Sequence, residues 1–145
     1  MIKFVPSIGF TGQCAQAIEL YEKAFGAIVK EKVLFSDSVA KANDYQCKSG
    51  EEDYIYYCEI VVGEQTIALA DDSMNMLDKE NPGHTRRLGL LMHFDSANEL
   101  KAASEILADG GNILAPIHST TYCSAYTVLE DKFGVCWELM SGYEG

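Results

Sequence analysis

The same order of hydrophobic patterns runs through this chain twice, and that repeat limits the available folds more than any other feature. In the first half, Ile2 to Phe10 reads as a strand ended by Thr11-Gly12. Cys14 to Phe25 then sets Ala17, Ile18, Tyr21 and Phe25 at helical spacing, with Gly26 as the stop. Ala27 to Phe35, Tyr54 to Val62 and Gln65 to Ala70 follow as strands. In the second half, Leu88 to Asp95 reads as a strand and Ser96-Ala97-Asn98-Glu99 as a capping box. Leu100, Ala103, Ile106 and Leu107 give the next helix its apolar face, and Gly110-Gly111 ends it. Asn112 to His118, Tyr122 to Leu129 and Val135 to Met140 are the last three strands. One helix covers one face of a sheet, so neither half buries its sheet alone. The expected fold is α+β, a single domain of two βαβββ modules (about 1–80 and about 85–145). These pair into a curved mixed sheet around a cavity, with the helices outside.

The links carry further information. Gly63-Glu64 is a Gly-first two-residue connection suited to a tight hairpin. It sets Ile60 opposite Ile67, Glu59 opposite Ala68 and Tyr57 opposite Ala70. Paired residues share a sheet face, so Tyr57, Glu59, Thr66, Ala68 and Ala70 line one side. That side is too apolar for open solvent and too polar for a dry core, which is the character of a binding surface. Ser36 to Asp53 is a polar loop of the length used for lids, and Asp71 to Arg87, with Asn81-Pro82-Gly83, is the one internal boundary.

Composition excludes several functions. The chain has 145 residues, 48% of them hydrophobic, enough for one domain that buries roughly two-thirds of its unfolded surface. Eleven basic against 22 acidic residues give a net charge of -11, which repels phosphate backbones and anionic membranes. Neither nucleic acid nor membrane is expected as a partner. No apolar run approaches the ~20 residues of a membrane span, and Met1 to Pro6 lacks a signal-peptide core, so a cytoplasmic location is expected. Cys14, Cys47, Cys58, Cys123 and Cys136 are odd in number and have no CxxC spacing, so they read as reduced, buried small hydrophobes.

The chain closes on EDKFGVCWELM, a tight turn at Asp131-Lys132-Phe133-Gly134 followed by a strand in which Glu138 is the one acid among apolar neighbours. Together with FTGQCAQAIELYEKAFGA and the repeated module, this segment resembles the vicinal-oxygen-chelate superfamily of glyoxalase I, bleomycin-resistance proteins and extradiol dioxygenases. The likeness is strongest to its PhnB-like branch and spans essentially the whole chain. In metal-dependent members four side chains, from the first and last strands of the two modules, hold a divalent ion. Here those places fall on or close to Pro6, Ala68, Gly89 and Glu138. Glu138 alone among them can bind a metal, so the resemblance implies neither a catalytic metal nor another cofactor in this chain.

Glu138 is accordingly the candidate catalytic residue, as general base or ligand-binding carboxylate. Tyr57, Glu59, Ala68, Gly89, Leu91 and His93 are candidates for ligand binding. Gly89 and Ala68 leave volume, Leu91 and His93 share the face of Gly89 by strand alternation, and Tyr57 stands where PhnB-like relatives commonly carry a His. Leu88, Leu90, Met92 and Phe94 should pack under the helices, as should Trp137. His118 to Thr121 read as a turn. Tyr122 and Tyr126 read as ordinary strand residues, although the tyrosines as a set could stack on a planar ligand. Cys123 sits in no nucleophile motif. The function expected is metal-independent small-molecule binding of the glyoxalase/bleomycin-resistance type, with a homodimer implied by the resemblance. The alternatives are a metal-free lyase or isomerase using Glu138 with His93 or Tyr57, and sequestration of a cationic antibiotic.

Overall fold

Each half of the chain lays one helix on one four-stranded sheet. The structure is a computed structural model that describes residues 2–37, 49–71 and 88–142, and the chain divides into two units, Met1–Lys79 and Glu80–Gly145. The first unit contains β1 (Ser7–Phe10), α1 (Cys14–Phe25), β2 (Ile28–Leu34), β3 (Ile55–Val62) and β4 (Gln65–Asp71). The second contains β5 (Leu90–Phe94), α2 (Ala97–Ala108), β6 (Asn112–His118), β7 (Ala125–Glu130) and β8 (Cys136–Ser141). The sheet orders are β1-β4-β3-β2 and β5-β8-β7-β6. In each, the first strand runs parallel to the last and the remaining pairs are antiparallel. The α+β fold of two βαβββ modules is thus present.

The β3–β4 hairpin has the register that its two-residue link dictates. Ile60 pairs with Ile67 and Glu59 with Ala68, while Gly63 takes the positive φ of 60° that only glycine adopts cheaply. Under the helices, α1 buries Ala17, Ile18, Leu20 and Tyr21 over β3 and β4, where Cys58, Ile60 and Leu69 are fully buried. In the second unit α2 buries Leu100, Ala103 and Leu107 over β7 and β8. Leu129, Trp137 and Leu139 are buried there, so Trp137 faces the helix as its alternation with Glu138 requires.

Several strand ends differ from the sequence expectation. β1 starts at Ser7, not Ile2: Pro6 has no amide proton to donate and gives only its carbonyl, to the Ala68 amide at 2.9 Å. β7 starts at Ala125, because Thr120 Oγ1 accepts the amides of Tyr122 and Cys123 and holds that stretch as a turn. Leu88 was expected beneath a helix but is 75% exposed, since β5 begins only at Leu90 and the alternation does not reach back to it. Residues 38–48 and 72–87, which carry most of the long polar loop, Cys47, Tyr45 and the Asn81-Pro82-Gly83 boundary, lie outside the described residues. Among those described, no helix is long and apolar enough to cross a membrane.

Two buried aspartates fix the corners of the modules. α1 has Gln13 at its N-cap with no side-chain cap. Asp71, at the end of β4, caps it from a distance: its Oδ1 accepts from the Gly12 and Cys14 amides at 2.8 and 3.0 Å, and its Oδ2 from the Ile55 amide at 2.9 Å. α2 is capped locally, Ser96 Oγ accepting from the Glu99 amide at 3.2 Å. Asp131 holds the turn into β8. It accepts from the amides of Phe133 and Val135 at 2.9 and 3.1 Å and from Trp137 Nε1 at 3.0 Å.

A buried donor left unpaired costs about 1–3 kcal/mol, and Asp131 serves one buried indole and two part-buried amides, so Asp131→Ala should lower the unfolding free energy by about 2–5 kcal/mol. Asp131→Asn should recover part of this, because an amide oxygen still accepts. Urea unfolding followed through the single tryptophan reads both variants. A loss below about 1 kcal/mol for the alanine variant would show that the clamp is dispensable.

Candidate functional site

A helix covers one face of each sheet and leaves the other to the alternate residues of every strand. In the second unit β8 pairs Glu138 with Leu91 on β5 and with Val128 on β7, while Met140 pairs with His93 and with Tyr126. In-register partners point to the same side, so Leu91, His93, Tyr126, Val128, Glu138 and Met140 share the helix-free face. Gly89 belongs to it as well: a Cβ built there would stand 3.2 Å from Glu138 Oε2. The volume expected beside Gly89 is therefore used by the Glu138 carboxylate. Leu91 is 48% exposed on this face.

Tyr126 gives Glu138 its hydrogen bond, the phenol donating to Oε1 at 2.6 Å. Tyr126 lies diagonally across the strand pair, within reach of a side chain as long as tyrosine. Its phenol pKa is pushed up from the usual 10.0, first by that bond, which stabilises the protonated form, and then by burial. Around it stand His118, with ring centroids 5.7 Å apart and planes at 82°, and Tyr122, at 6.4 Å and 71°. His118 Nδ1 lies 2.7 Å from the Pro116 carbonyl. A carbonyl can only accept, so Nδ1 carries the proton and the ring is held in place. The sequence marks Tyr126 and Tyr122 as strand residues and His118 as part of a turn, without joining any of them to Glu138. The signal that could have found Tyr126 is the β7–β8 register, which follows from the bond between the Asp131 amide and the Val135 carbonyl that closes the turn.

In the first unit the corresponding face carries Tyr57, Glu59 and Ala68, as the hairpin register predicts. Tyr57 donates its hydroxyl to Glu59 Oε1 at 2.6 Å, which pushes the Tyr57 phenol up as well. Lys30 Nζ lies 3.9 Å from Glu59 Oε2. The seven candidate residues therefore fall into two sets, Tyr57, Glu59 and Ala68 on one unit and Gly89, Leu91, His93 and Glu138 on the other.

The four places at which metal-dependent relatives hold their ion do not suit one here. Pro6, Ala68 and Gly89 have no donor side chain, and one oxygen of Glu138 already accepts from Tyr126. Among the described residues no group of three or more His, Cys, Asp or Glu side chains is placed to hold a metal ion. Burial raises the Cys58 thiol to about 11 and Cys14 further still, so neither of these two is a thiolate nucleophile near neutral pH.

Comparison with known proteins adds the lineage. The model of the Glyoxalase/Bleomycin resistance protein/Dioxygenase superfamily matches residues 8–139. Protein YjdN of Escherichia coli (strain K12) is 26% identical over 136 residues, which cover 91% of this chain and 90% of that protein. Among solved structures, protein PA1353 of Pseudomonas aeruginosa superposes with a TM-score of 0.77 at 21% identity, over 99% of this chain and 100% of its own. The PhnB protein of Bacillus cereus, described as a putative 3-demethylubiquinone-9 3-methyltransferase, does so with a TM-score of 0.77 at 20% identity, over 97% and 99%. At such identities the solved structures speak for the fold alone.

The raised phenols give a pH signature. A tyrosine whose folded pKa exceeds its unfolded value of 10.0 contributes stability that is fully present below pH 10 and is lost as the pH rises through the raised folded value. Phenolate absorbance should therefore show at least two of the eight tyrosines ionising late. Tyr126→Phe should remove one of them and flatten the loss of stability above pH 10. An unchanged number of late tyrosines in that variant would show that the Tyr126–Glu138 bond does not form in solution.

Proposed function

Because the chain belongs to the glyoxalase/bleomycin resistance protein/dioxygenase superfamily, we propose that it binds a small organic molecule on the helix-free face of its second unit. Glu138 is the polar anchor, and no catalytic metal takes part. The observation that carries this reading is the 2.6 Å bond from Tyr126 to Glu138 Oε1. It fixes the carboxylate in one orientation on a face that also carries Leu91, His93, Val128 and Met140. Apolar walls with a few fixed polar groups are what small-molecule sites generally offer. Tyr57, Glu59 and Ala68 form a second ligand-contacting surface on the first unit. A metal-free lyase or isomerase would use the same residue: with Oε1 held by Tyr126, Glu138 Oε2 is the oxygen left to take a substrate proton.

Association into a homodimer is part of the same reading, supported by the edge strands β2 and β6. They expose Ile28 and Val29 on one unit and Ile113, Leu114 and Ile117 on the other.

A thermal-shift screen of small organic molecules tests the proposal, since a ligand present at about 100 times its Kd stabilises the folded state by about 2.7 kcal/mol. For a compound that stabilises the native protein, Glu138→Gln should weaken binding by about tenfold or more, the scale of losing one charge-assisted hydrogen bond. Glu105→Gln, an exposed site on α2, should leave it unchanged. Equal binding to all three proteins would remove Glu138 from the site.

A further inference from the structure

We infer that Gly89 is a positioning residue for Glu138: by carrying no side chain it leaves free the place in which the carboxylate lies, and so decides whether this face presents an acid held by Tyr126. It rests on the reading of Glu138 as the polar anchor of the face and goes beyond it by naming what the anchor needs.

Backbone conformation does not call for a glycine here. Gly89 is not among the glycines of positive φ, so an L side chain suits its main chain. Glycine also loses more conformational freedom on folding than any other residue, and the fold alone would be better served by alanine. What a side chain would meet is Glu138. The three nearest atoms to a Cβ built at Gly89 all belong to it, Oε2 at 3.2 Å and Cδ and Cγ both at 3.6 Å. The carboxyl group is thus held across β8 between its two neighbouring strands. On the β7 side Tyr126 donates to Oε1 at 2.6 Å, and on the β5 side Gly89 leaves room for Oε2.

The first unit divides the corresponding positions the other way. β1 runs parallel to β4 with Ser7 opposite Ala68, as β5 runs parallel to β8 with Leu91 opposite Glu138. Ala68 therefore holds the place of Glu138, and Val5, two residues before Ser7, holds that of Gly89. One unit has alanine with valine, and the other has glutamate with glycine. Opposite assignment of large and small is what close packing requires of two positions that share one volume.

Three variants test the role: Gly89→Ala, Gly89→Val, and Gly89→Val combined with Glu138→Ala, which copies the Val5–Ala68 pair. Phenolate absorbance against pH and the urea midpoint followed through Trp137 are the readouts. Gly89→Val should displace the carboxylate, lower the number of late-ionising tyrosines by one, as Tyr126→Phe does, and lower the midpoint by roughly 0.5 M or more. Gly89→Ala, which asks the carboxylate to move a few tenths of an ångström, should bring that ionisation to lower pH without abolishing it. In the Glu138→Ala background Gly89→Val should leave the midpoint unchanged or raise it. Leu88→Ala, at an exposed neighbouring residue, should leave the late tyrosines as they are. If Gly89→Val keeps their number, the carboxylate does not need the glycine and the inference falls, while Glu138 as the anchor stands. If Gly89→Val lowers the midpoint equally with and without the Glu138 side chain, the glycine serves the backbone and the inference again falls alone. If Tyr126→Phe itself leaves the number unchanged, the held carboxylate is absent in solution and both readings fall.

Discussion

A four-stranded sheet carrying a single helix has one covered face, and in both units of this chain that asymmetry decides where polar chemistry stands. On the covered side the strands contribute Cys58, Ile60 and Leu69, or Leu129, Trp137 and Leu139, all buried. Among the described residues the buried aspartates are those on which several donors converge, Asp71 at the entrance to α1 and Asp131 at the turn into β8. Each charge-assisted bond is worth about 1.5–3 kcal/mol, and three of them offset the cost of taking a carboxylate out of water. The opposite face carries the remaining chemistry, because strand alternation sends every second residue there whatever its polarity.

The two modules are related in detail as well as in order. Glu59 pairs with Ala68 across β3 and β4, and Val128 pairs with Glu138 across β7 and β8. These pairs set Tyr57 and Tyr126 at the same place in the repeat, two residues before Glu59 and Val128. Both phenols donate to a glutamate at 2.6 Å, yet the glutamates differ in position. In the first module the acid sits on the tyrosine's own strand, and in the second it sits on the neighbouring one. The pattern conserved between the halves is thus a phenol clamped to a carboxylate on the helix-free face. Among the described residues the first of these pairs has a lysine alongside, Lys30 at 3.9 Å from Glu59, and the second has none.

How much of this was legible in the sequence depended on whether the deciding interaction was local. α1 occupies the residues its periodicity marks, Ser96 caps α2 through the Glu99 amide three residues on, and the β3–β4 register follows from a two-residue link. All three are set by neighbours in the chain. Asp71 could not be recognised as a helix cap, since its partners lie 57 and 59 residues away, and its composition context made it look like the start of a polar connection. Tyr126 was hidden for a related reason. Its strand begins three residues later than composition suggests, after the Thr120 turn, and its partner Glu138 is reached only through the register that the Asp131 turn imposes. Glu138 itself stood out by contrast with its apolar strand. The residues gathered around it came from pairings that no single stretch reveals.

The number of donors around each acid differs between Asp71, Asp131 and Glu138. Asp71 accepts from three backbone amides, and Asp131 from two amides and an indole, so each is spent on holding the chain together. Among the described residues Glu138 accepts from a single neutral hydroxyl, a contribution of about 1–3 kcal/mol set against the desolvation of a half-buried charge. On stability alone an apolar residue would serve that strand position as well, as Val128 does directly opposite it. The carboxylate is held in one orientation by Tyr126 and closely flanked by the side-chain-free Gly89, with one oxygen not taken by the phenol. Fold energetics alone do not call for this combination, and the proposed ligand site is built on it.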